Sequence, residues 1–359
     1  MKIFTFKGGI YPPERKELSR DCPITDAFPS TKTVTIPVTM GGAPNTPLVK
    51  VGDIVAKGQK IAASDKFMSA PVHASVAGTV KKIQNCMVTG NTEVPCIIIE
   101  SDGSDRTDYM PVLDPFTCDE KEAIARIRDA GIVGMGGASF PTHVKLSPPP
   151  DKEIEYVLLN AAECEPYLTS DYRRMVEEPE KLIEGLKCVL RLFDNAKGIL
   201  AVEDNKSDVI AKLKELTMNE PRILVKALKT KYPQGAERQL IYATTKRAIN
   251  SSMLPADAGC VVDNVDTLCA IYNAVWNGIP LMERIITVTG DAIRRPQNFR
   301  VHIGMSYEHL IEEAGGFKVT PEKIVSGGPM MGFALFDLDV PVTKASSALL
   351  CMKKDEVSN

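Results

Sequence analysis

The chain has 359 residues, 44% hydrophobic and 25% charged, the balance of a protein that folds into two or three compact units; it excludes a single small module and a disordered polymer. Its 43 Lys and Arg stand against 46 Asp and Glu with no basic block, so binding to a nucleic-acid backbone has no electrostatic basis. No stretch approaches the roughly 20 apolar residues that cross a bilayer, and Met1 to Gly9 lack a signal-peptide core, so the expected place is the cytosol, with membrane attachment made through partners.

From Thr33 to Glu100 short apolar alternations are cut by turn signals: Val34 to Val38, Val51 to Val55, Gly78 to Val80 and Pro95 to Ile99. That pattern is a small all-β unit. Leu48 to Asp53, Lys57 to Ile61 and Ala74 to Val80 resemble the barrel-sandwich domain of lipoyl and biotinyl carriers. Lipoyl carriers present a modified lysine in an Asp-Lys pair, which draws attention to Asp65-Lys66; Phe67-Met68-Ser69-Ala70-Pro71 departs from the carrier pattern, and the simpler reading is a solvated lysine.

Thr117-Cys118-Asp119-Glu120 reads as a capping box ahead of the helical spacing Ala123, Ile124, Ile127 and Ala130, with Gly131 as the left-handed stop. After Pro148-Pro149-Pro150 the pattern alternates: strand at Tyr156 to Leu159, helix through Leu182 to Phe193, strand at Gly198 to Val202, helix through Val209 to Leu216, strand at Ile223 to Leu228. Such alternation predicts a parallel sheet with right-handed crossovers, the usual frame for a nucleotide. Further helices are expected after Gly235 and Asn264. Beyond Pro280, strands at Arg284 to Thr289 and Lys323 to Ser326 with a helix at Tyr307 to Ala314 predict a small α+β unit.

Two loops carry candidate chemistry. Gly134-Met135-Gly136-Gly137-Ala138-Ser139 places three glycines in four positions, where bare backbone N–H groups can approach a phosphate. It follows a helix and holds Ser139 at the third fingerprint position, so it is not the dinucleotide fingerprint, and a structural turn is the alternative. Asn160-Ala161-Ala162-Glu163-Cys164-Glu165-Pro166-Tyr167 leaves the carboxyl end of the first strand of the alternating region, where α/β sheets bind ligands. On an extended segment Glu163 and Glu165 point the same way and could ligate a metal, act as acid and base, or bond a ribose or nicotinamide; an acidic surface loop is the bland alternative. Cys164 has no His nearby in sequence to activate it. The nine cysteines are scattered without a Cys-x-x-Cys, which favours free thiols over a metal or disulfide framework.

Gly8-Gly9-Ile10-Tyr11-Pro12-Pro13, Gly131 to Leu146, Glu163 to Asp171, Tyr232 to Glu237, Asn264-Val265-Asp266-Thr267 and Gly327-Gly328-Pro329-Met330-Met331-Gly332, in this order, resemble the RnfC family, which belongs to ion-translocating ferredoxin:NAD oxidoreductase complexes of electron transport. The middle of that family is similar to the flavin- and NADH-binding subunit of respiratory complex I. The resemblance implies a barrel-sandwich domain with an N-terminal arm over 1–116, a parallel-sheet α/β domain for FMN and NADH over 117–280, a β-grasp domain over 281–345, and a tail over 346–359. It implies FMN and NAD(H) as cofactors and hydride transfer between them. FMN phosphate and ribitol would meet Asn264 and Thr267; Gly134, Gly136, Gly137 and Ala138 would lie against the nucleotide with Lys145 as a nearby charge. Asn160, Glu163 and Glu165 would face the isoalloxazine and nicotinamide, and Tyr232, Gly235 and Glu237 would form another wall.

The implied partners are other subunits of the membrane complex and, indirectly, ferredoxin, with the chain peripheral on the cytoplasmic face. The family's 4Fe–4S clusters belong to a cysteine-rich segment expected beyond Asn359, so the sequence reads as a truncated piece. Ser139 replaces a family glycine; if its φ is positive it costs about 1 kcal/mol. Two other readings are kept: a soluble relative such as a cobalamin reductase, in which the glycine loop lies nearer the N-terminus, and a partner-docking module with a vestigial nucleotide site.

Overall fold

The computed structural model describes residues 2–28 and 31–354. Its centre is an all-parallel sheet in the order Ile3–Phe4, Ile223–Leu228, Lys197–Glu203, Tyr156–Ala161, Cys260–Asn264. The strands read as apolar runs because both faces are covered, as parallel sheets require. Val157, Leu159 and Ala161 join one hydrophobic cluster with helix residues Leu182, Leu186 and Val265, whereas Leu158 and Ala162 join another with Leu240 and Ile241. The chain builds outward through Lys197–Glu203 and Ile223–Leu228, then returns to lay Cys260–Asn264 on the other side of Tyr156–Ala161. That reversal opens a crevice at the carboxyl ends of the two strands, where Asn160 and Asn264 are register partners.

The N-terminal β unit packs a four-stranded sheet (Thr33–Pro37, Thr92–Ser101, Gly78–Val88, Ile54–Val55) on a three-stranded one (Thr46–Pro47, Lys60–Ala63, Val72–His73). The strand expected at Val51 is shorter, because Lys50 N donates to Asp53 Oδ2 in a turn through Gly52 at φ +92°. The one expected to end at Val80 runs on to Val88 in a long hairpin. Lys66 is exposed in the connection after Lys60–Ala63, but its neighbours are docked: Phe67 O bonds His143 Nε2 at 2.7 Å, so this connection is no free carrier arm.

The C-terminal unit is a six-stranded mixed sheet: Phe333–Ala334, Lys323–Ser326, Ala348–Met352, Glu283–Thr289, Gln297–His302, Ile24–Asp26, with the helix Tyr307–Glu313 against it. Two expectations change here. Residues 346–352 are not a tail, since the fully buried strand Ala348–Met352 pairs with both Glu283–Thr289 and Lys323–Ser326; residues 355–359 lie outside the described residues. The N-terminal arm leaves the sandwich, giving one strand to the central sheet and one to the C-terminal sheet. A third correction concerns the first helix, Glu120–Asp129: Asp119 is its N-cap, accepting from Lys121 N at 3.0 Å, because the amides of Thr117 and Cys118 are spent in a turn on Asp114 O. Its expected end at Gly131, φ +67°, is as read.

Helices Pro179–Arg191 and Val265–Trp276 meet at Gly185, where an added Cβ would lie 2.1 Å from Leu268 O. Alanine is the better helix former, yet Gly185→Ala should lower stability by about 1–3 kcal/mol through overpacking. Urea denaturation followed by circular dichroism measures this; an unchanged or raised midpoint would contradict the close helix contact.

Candidate active site in the crevice of the parallel sheet

The glycine loop is a tight excursion closed by Gly134 N to Phe140 O, 2.8 Å, and Thr142 N to Ile132 O, 3.1 Å. Thr267, on the first turn of Val265–Trp276, pins it by accepting from Met135 N at 3.0 Å. Gly136 sits against Asn264, to whose Cβ a Gly136 Cβ would come within 3.2 Å, and a Cβ on Gly137 would meet nothing within 4 Å. Ser139 does take a positive φ, +51°, and its buried Oγ makes no hydrogen bond within the protein. The sandwich holds it in place, since a Cβ on Gly41 would lie 2.2 Å from Ser139 O.

The acidic loop is coiled rather than extended, with Glu163 at φ +51° and Tyr167 at φ +70°, so its two carboxylates diverge and do not share a metal or a substrate proton. Glu163 turns inward. Its Oε1 accepts from Asp171 N at 2.8 Å and Tyr172 N at 3.3 Å, and its Oε2 lies 3.4 Å from Lys16 Nζ, leaving the side chain 3% exposed. Glu165 goes the other way: Oε2 accepts from Met330 N at 3.2 Å, and the buried Oε1 has no partner within the protein. Burial pushes the Glu165 carboxyl above its ordinary value. Cys164 Sγ accepts from Gly235 N at 3.3 Å, and burial pushes the thiol up to about 11, which keeps it protonated and poorly nucleophilic.

Lys16 explains the shape of this loop. Its buried ammonium donates to Glu163 O at 2.9 Å, to Glu165 O at 3.1 Å and to Leu168 O, besides pairing with the Glu163 carboxylate. Burial lowers its pKa, and the ring of acceptors offsets that penalty. At the strand ends, Asn160 Nδ2 donates to Gly235 O at 2.7 Å, while Asn264 caps its helix through Asp266 N and donates Nδ2 to Asp171 Oδ2 at 2.8 Å. Asp171 is raised to about 7, first by burial and then by Glu163 and Asp266. Asp266 itself is held between Arg174 Nε at 2.9 Å and Arg284 Nη1 at 3.2 Å.

These groups surround a cavity of about 430 Å³. Of the residues expected at the site, Gly136, Gly137, Asn160, Glu163, Glu165, Tyr232, Gly235 and Asn264 line it. Five others do not: Ala138 is exposed on the loop, Thr267 is buried behind it, and Gly134 lies beside Lys145, whose Nζ is engaged by Val262 O and Asp263. Glu237, near Lys145 and Asp263, is raised by burial. Sequence reasoning missed Lys16, Asp171, Arg284 and Thr89, the last brought in by the turn of the long sandwich hairpin. It had singled out Gly327 to Gly332 without giving them a role, and these residues form a wall.

Removing the ammonium in Lys16→Met leaves the buried Glu163 carboxylate and three carbonyls uncompensated. The expected loss is about 3–5 kcal/mol, read by denaturation, with early proteolysis within 163–168; a wild-type midpoint would contradict the clasp. Asp171 gives a pH signature. A carboxyl whose folded pKa is raised contributes stability that is complete below its unfolded value and is lost as pH rises through about 7. Asp171→Asn should therefore match wild type at pH 5 and exceed it by on the order of 1–3 kcal/mol at pH 8; parallel melting profiles across that range would contradict it.

Comparison with known proteins agrees with this geometry. Three family models match in sequence: the RnfC barrel sandwich hybrid domain over residues 4–104, the Nuo51 FMN-binding domain over 127–273 and the SLBB domain over 285–334. The RnfC-type subunit of the Na+-translocating ferredoxin:NAD+ oxidoreductase complex of Acetobacterium woodii is 46% identical over 99% of this chain and 81% of its own length. The corresponding subunit of the proton-translocating complex of Clostridium ljungdahlii is 45% identical over 99% of this chain and 78% of that one. Its counterpart in the ion-translocating oxidoreductase complex of Serratia proteamaculans is 38% identical, and the chain spans 51% of its length. Among solved structures, an NAD+-reducing NiFe hydrogenase superposes with a TM-score of 0.57 over 66% of this chain and 47% of that one; at 22% identity the likeness is one of fold. The chain belongs to the RnfC family of ion-translocating ferredoxin:NAD+ oxidoreductase complexes.

Proposed function

We propose that this chain is the NADH- and FMN-handling subunit of a membrane-associated Rnf complex and that the crevice is where a hydride passes between NAD(H) and FMN. The observation that carries the reading is the register pair Asn160 and Asn264 at the sheet's reversal, with Gly136 and Gly137 crossing beside them. Placed in a segment that matches an FMN-binding domain, these residues fit the cofactor. The cavity lies within the range of about 300–1,000 Å³ that holds such ligands, Gly137 leaves open space where a side chain would intrude, and Glu165 Oε1 offers a buried acceptor without a protein partner.

FMN, when bound, supplies a centre that accepts a hydride and releases electrons singly. The chain's own residues bind, orient and hold protons. Bare backbone at Gly136 and Gly137 admits close approach of a phosphate or ring. Asn160 and Asn264 present amides whose orientation is fixed by Gly235, Asp266 and Asp171. Thr267 and Lys145 act from behind, the first by pinning the glycine loop and the second as a positive charge engaged with Asp263. Asp171 keeps a proton on its carboxyl near neutrality at the wall of the cavity. A general base of the His type is not needed, because the reaction depends on geometry rather than on strong acid–base help.

We assign the one-electron carriers to a segment or partner outside residues 2–354, since among the described residues no group of three His, Cys, Asp or Glu could hold a metal ion. No helix among them is long and apolar enough to cross a membrane, in keeping with peripheral attachment, which we place on the cytoplasmic face with ferredoxin served through other subunits. The domain division at 116, 280 and 345 we retain as units of function, with 346–352 added to the last.

Titration with FMN, followed by flavin fluorescence, should show saturable 1:1 binding, and anaerobic NADH should then bleach the flavin. Gly136→Val fills the loop face opposite Asn264 and should weaken FMN at least tenfold, about 1.4 kcal/mol, while circular dichroism stays native. Folded wild-type chain that binds no FMN would contradict the proposal.

A further inference from the structure

The C-terminal unit contributes a wall to the cavity for which neither the FMN-binding segment nor the fold of the sheet accounts. Ser326, Gly327, Gly328, Met331, Gly332 and Phe333 all border it, outside residues 127–273. Met331 is 72% exposed and Phe333 57% exposed, two large apolar side chains on the edge of a cavity that also holds Glu165 and Asp171. Scattered surface apolar residues need no explanation. A pair bordering the same ligand-sized cavity presents the polarizable, flat-tolerant surface that a planar ring covers.

This lip is rigid and coupled to the acidic loop. Gly332 N donates to Gly328 O at 2.9 Å, and Phe333 pairs with Ser326 across two short antiparallel strands. Glycine is required at the contact: a Cβ on Gly328 would fall 2.1 Å from Glu165 Oε2, and one on Gly332 would fall 2.5 Å from Gly328 O. Met330 N donates to that same Glu165 oxygen at 3.2 Å, so one bond joins the acidic loop to the lip. Beside the apolar pair, Thr343 and Ser346 bring hydroxyls to the cavity wall, the Ser346 hydroxyl bonded to buried Tyr307. Apolar surface beside hydroxyls is the mixture that suits a base with its ribose.

We infer that the loop 327–333 is the dinucleotide subsite of the cavity: Met331 and Phe333 cover a ring of NAD(H), and the Glu165–Met330 bond sets the lip's position against the flavin. The inference rests on the flavin and NAD(H) reading above and deepens it. Exposed side chains on a braced loop suit the partner that must enter and leave in each turnover, whereas the buried polar groups at Asn160 and Asn264 suit a resident cofactor. Because the lip is joined to the loop that carries Glu165, dinucleotide and flavin are read by adjacent residues of one wall.

The test uses the full chain loaded with FMN and measures NAD+ and NADH affinity by calorimetry and by the NADH dependence of anaerobic flavin bleaching. The double variant Met331→Ser, Phe333→Ser changes only exposed side chains. It should raise the dissociation constant for the dinucleotide at least tenfold, leave the FMN constant within a factor of two, and leave dithionite reduction of the flavin intact. Phe336→Ser, at a residue 86% exposed that does not border the cavity, should change none of these. Unaltered dinucleotide affinity in the double variant, or weakened FMN with unaltered dinucleotide, overturns the inference while the flavin reading stands. Wild-type chain that binds FMN but no dinucleotide overturns the NAD(H) reading and this inference with it.

Discussion

One buried ammonium holds the site in shape. Lys16 arrives on the N-terminal arm, far in sequence from the loop it organises, and collects three backbone carbonyls and the Glu163 carboxylate. A charge in that position is costly unless it is fully paired, so the arm, the acidic loop and the helix Ser170–Glu177 are compelled to adopt one arrangement. With Glu163 committed to Lys16 and to the amides of Asp171 and Tyr172, Glu165 is free to turn towards the C-terminal unit. The positive φ of Glu163 follows from the same constraint: strain of this kind persists where the surroundings over-determine it.

Around that clasp the cavity is assembled from all three units. The central sheet supplies Asn160 and Asn264 at its reversal, the sandwich supplies Thr89 and the packing that holds Ser139, and the C-terminal sheet supplies Arg284 and the glycine-rich lip. Asp266 ties two of these together by receiving Arg174 from one side and Arg284 from the other. Hydride transfer between two rings tolerates little slack, and a site whose walls come from separate units depends on such buried pairs for its precision. Lys344 makes another tie, donating to Pro71 O and Gly131 O with burial lowering it to about 7.

What was legible in the sequence is what local physics encodes. The apolar runs at Val157 to Leu159 and Ile199 to Val202 could only be covered strands, and the stripe Leu182, Ile183, Leu186 and Leu190 could only be a helix face. The site residues found by resemblance are mostly at the cavity because glycines and asparagines at strand ends have few other uses. What escaped depends on contacts distant in sequence. Nothing near Lys16 marks it as buried, and nothing near Ala348–Met352 distinguishes a central strand from a tail, since its partners lie about sixty and twenty-five residues earlier. The divergence of Glu163 and Glu165 was invisible because alternation on an extended segment was assumed, and only Lys16 breaks it. Thr117 lost the N-cap to Asp119 because Asp114 uses the preceding amides, a competition between two good local acceptors that spacing does not decide.

The central claim, that one crevice at the sheet's reversal holds flavin and dinucleotide together, is tested most directly by determining the structure of the chain with FMN and NAD+ bound. The account predicts the isoalloxazine in the cavity bounded by Gly136, Asn160 and the Glu163–Glu165 loop, with the dinucleotide ring against Met331 and Phe333. Flavin bound elsewhere on the chain, or a dinucleotide with no contact to that cavity, would contradict it.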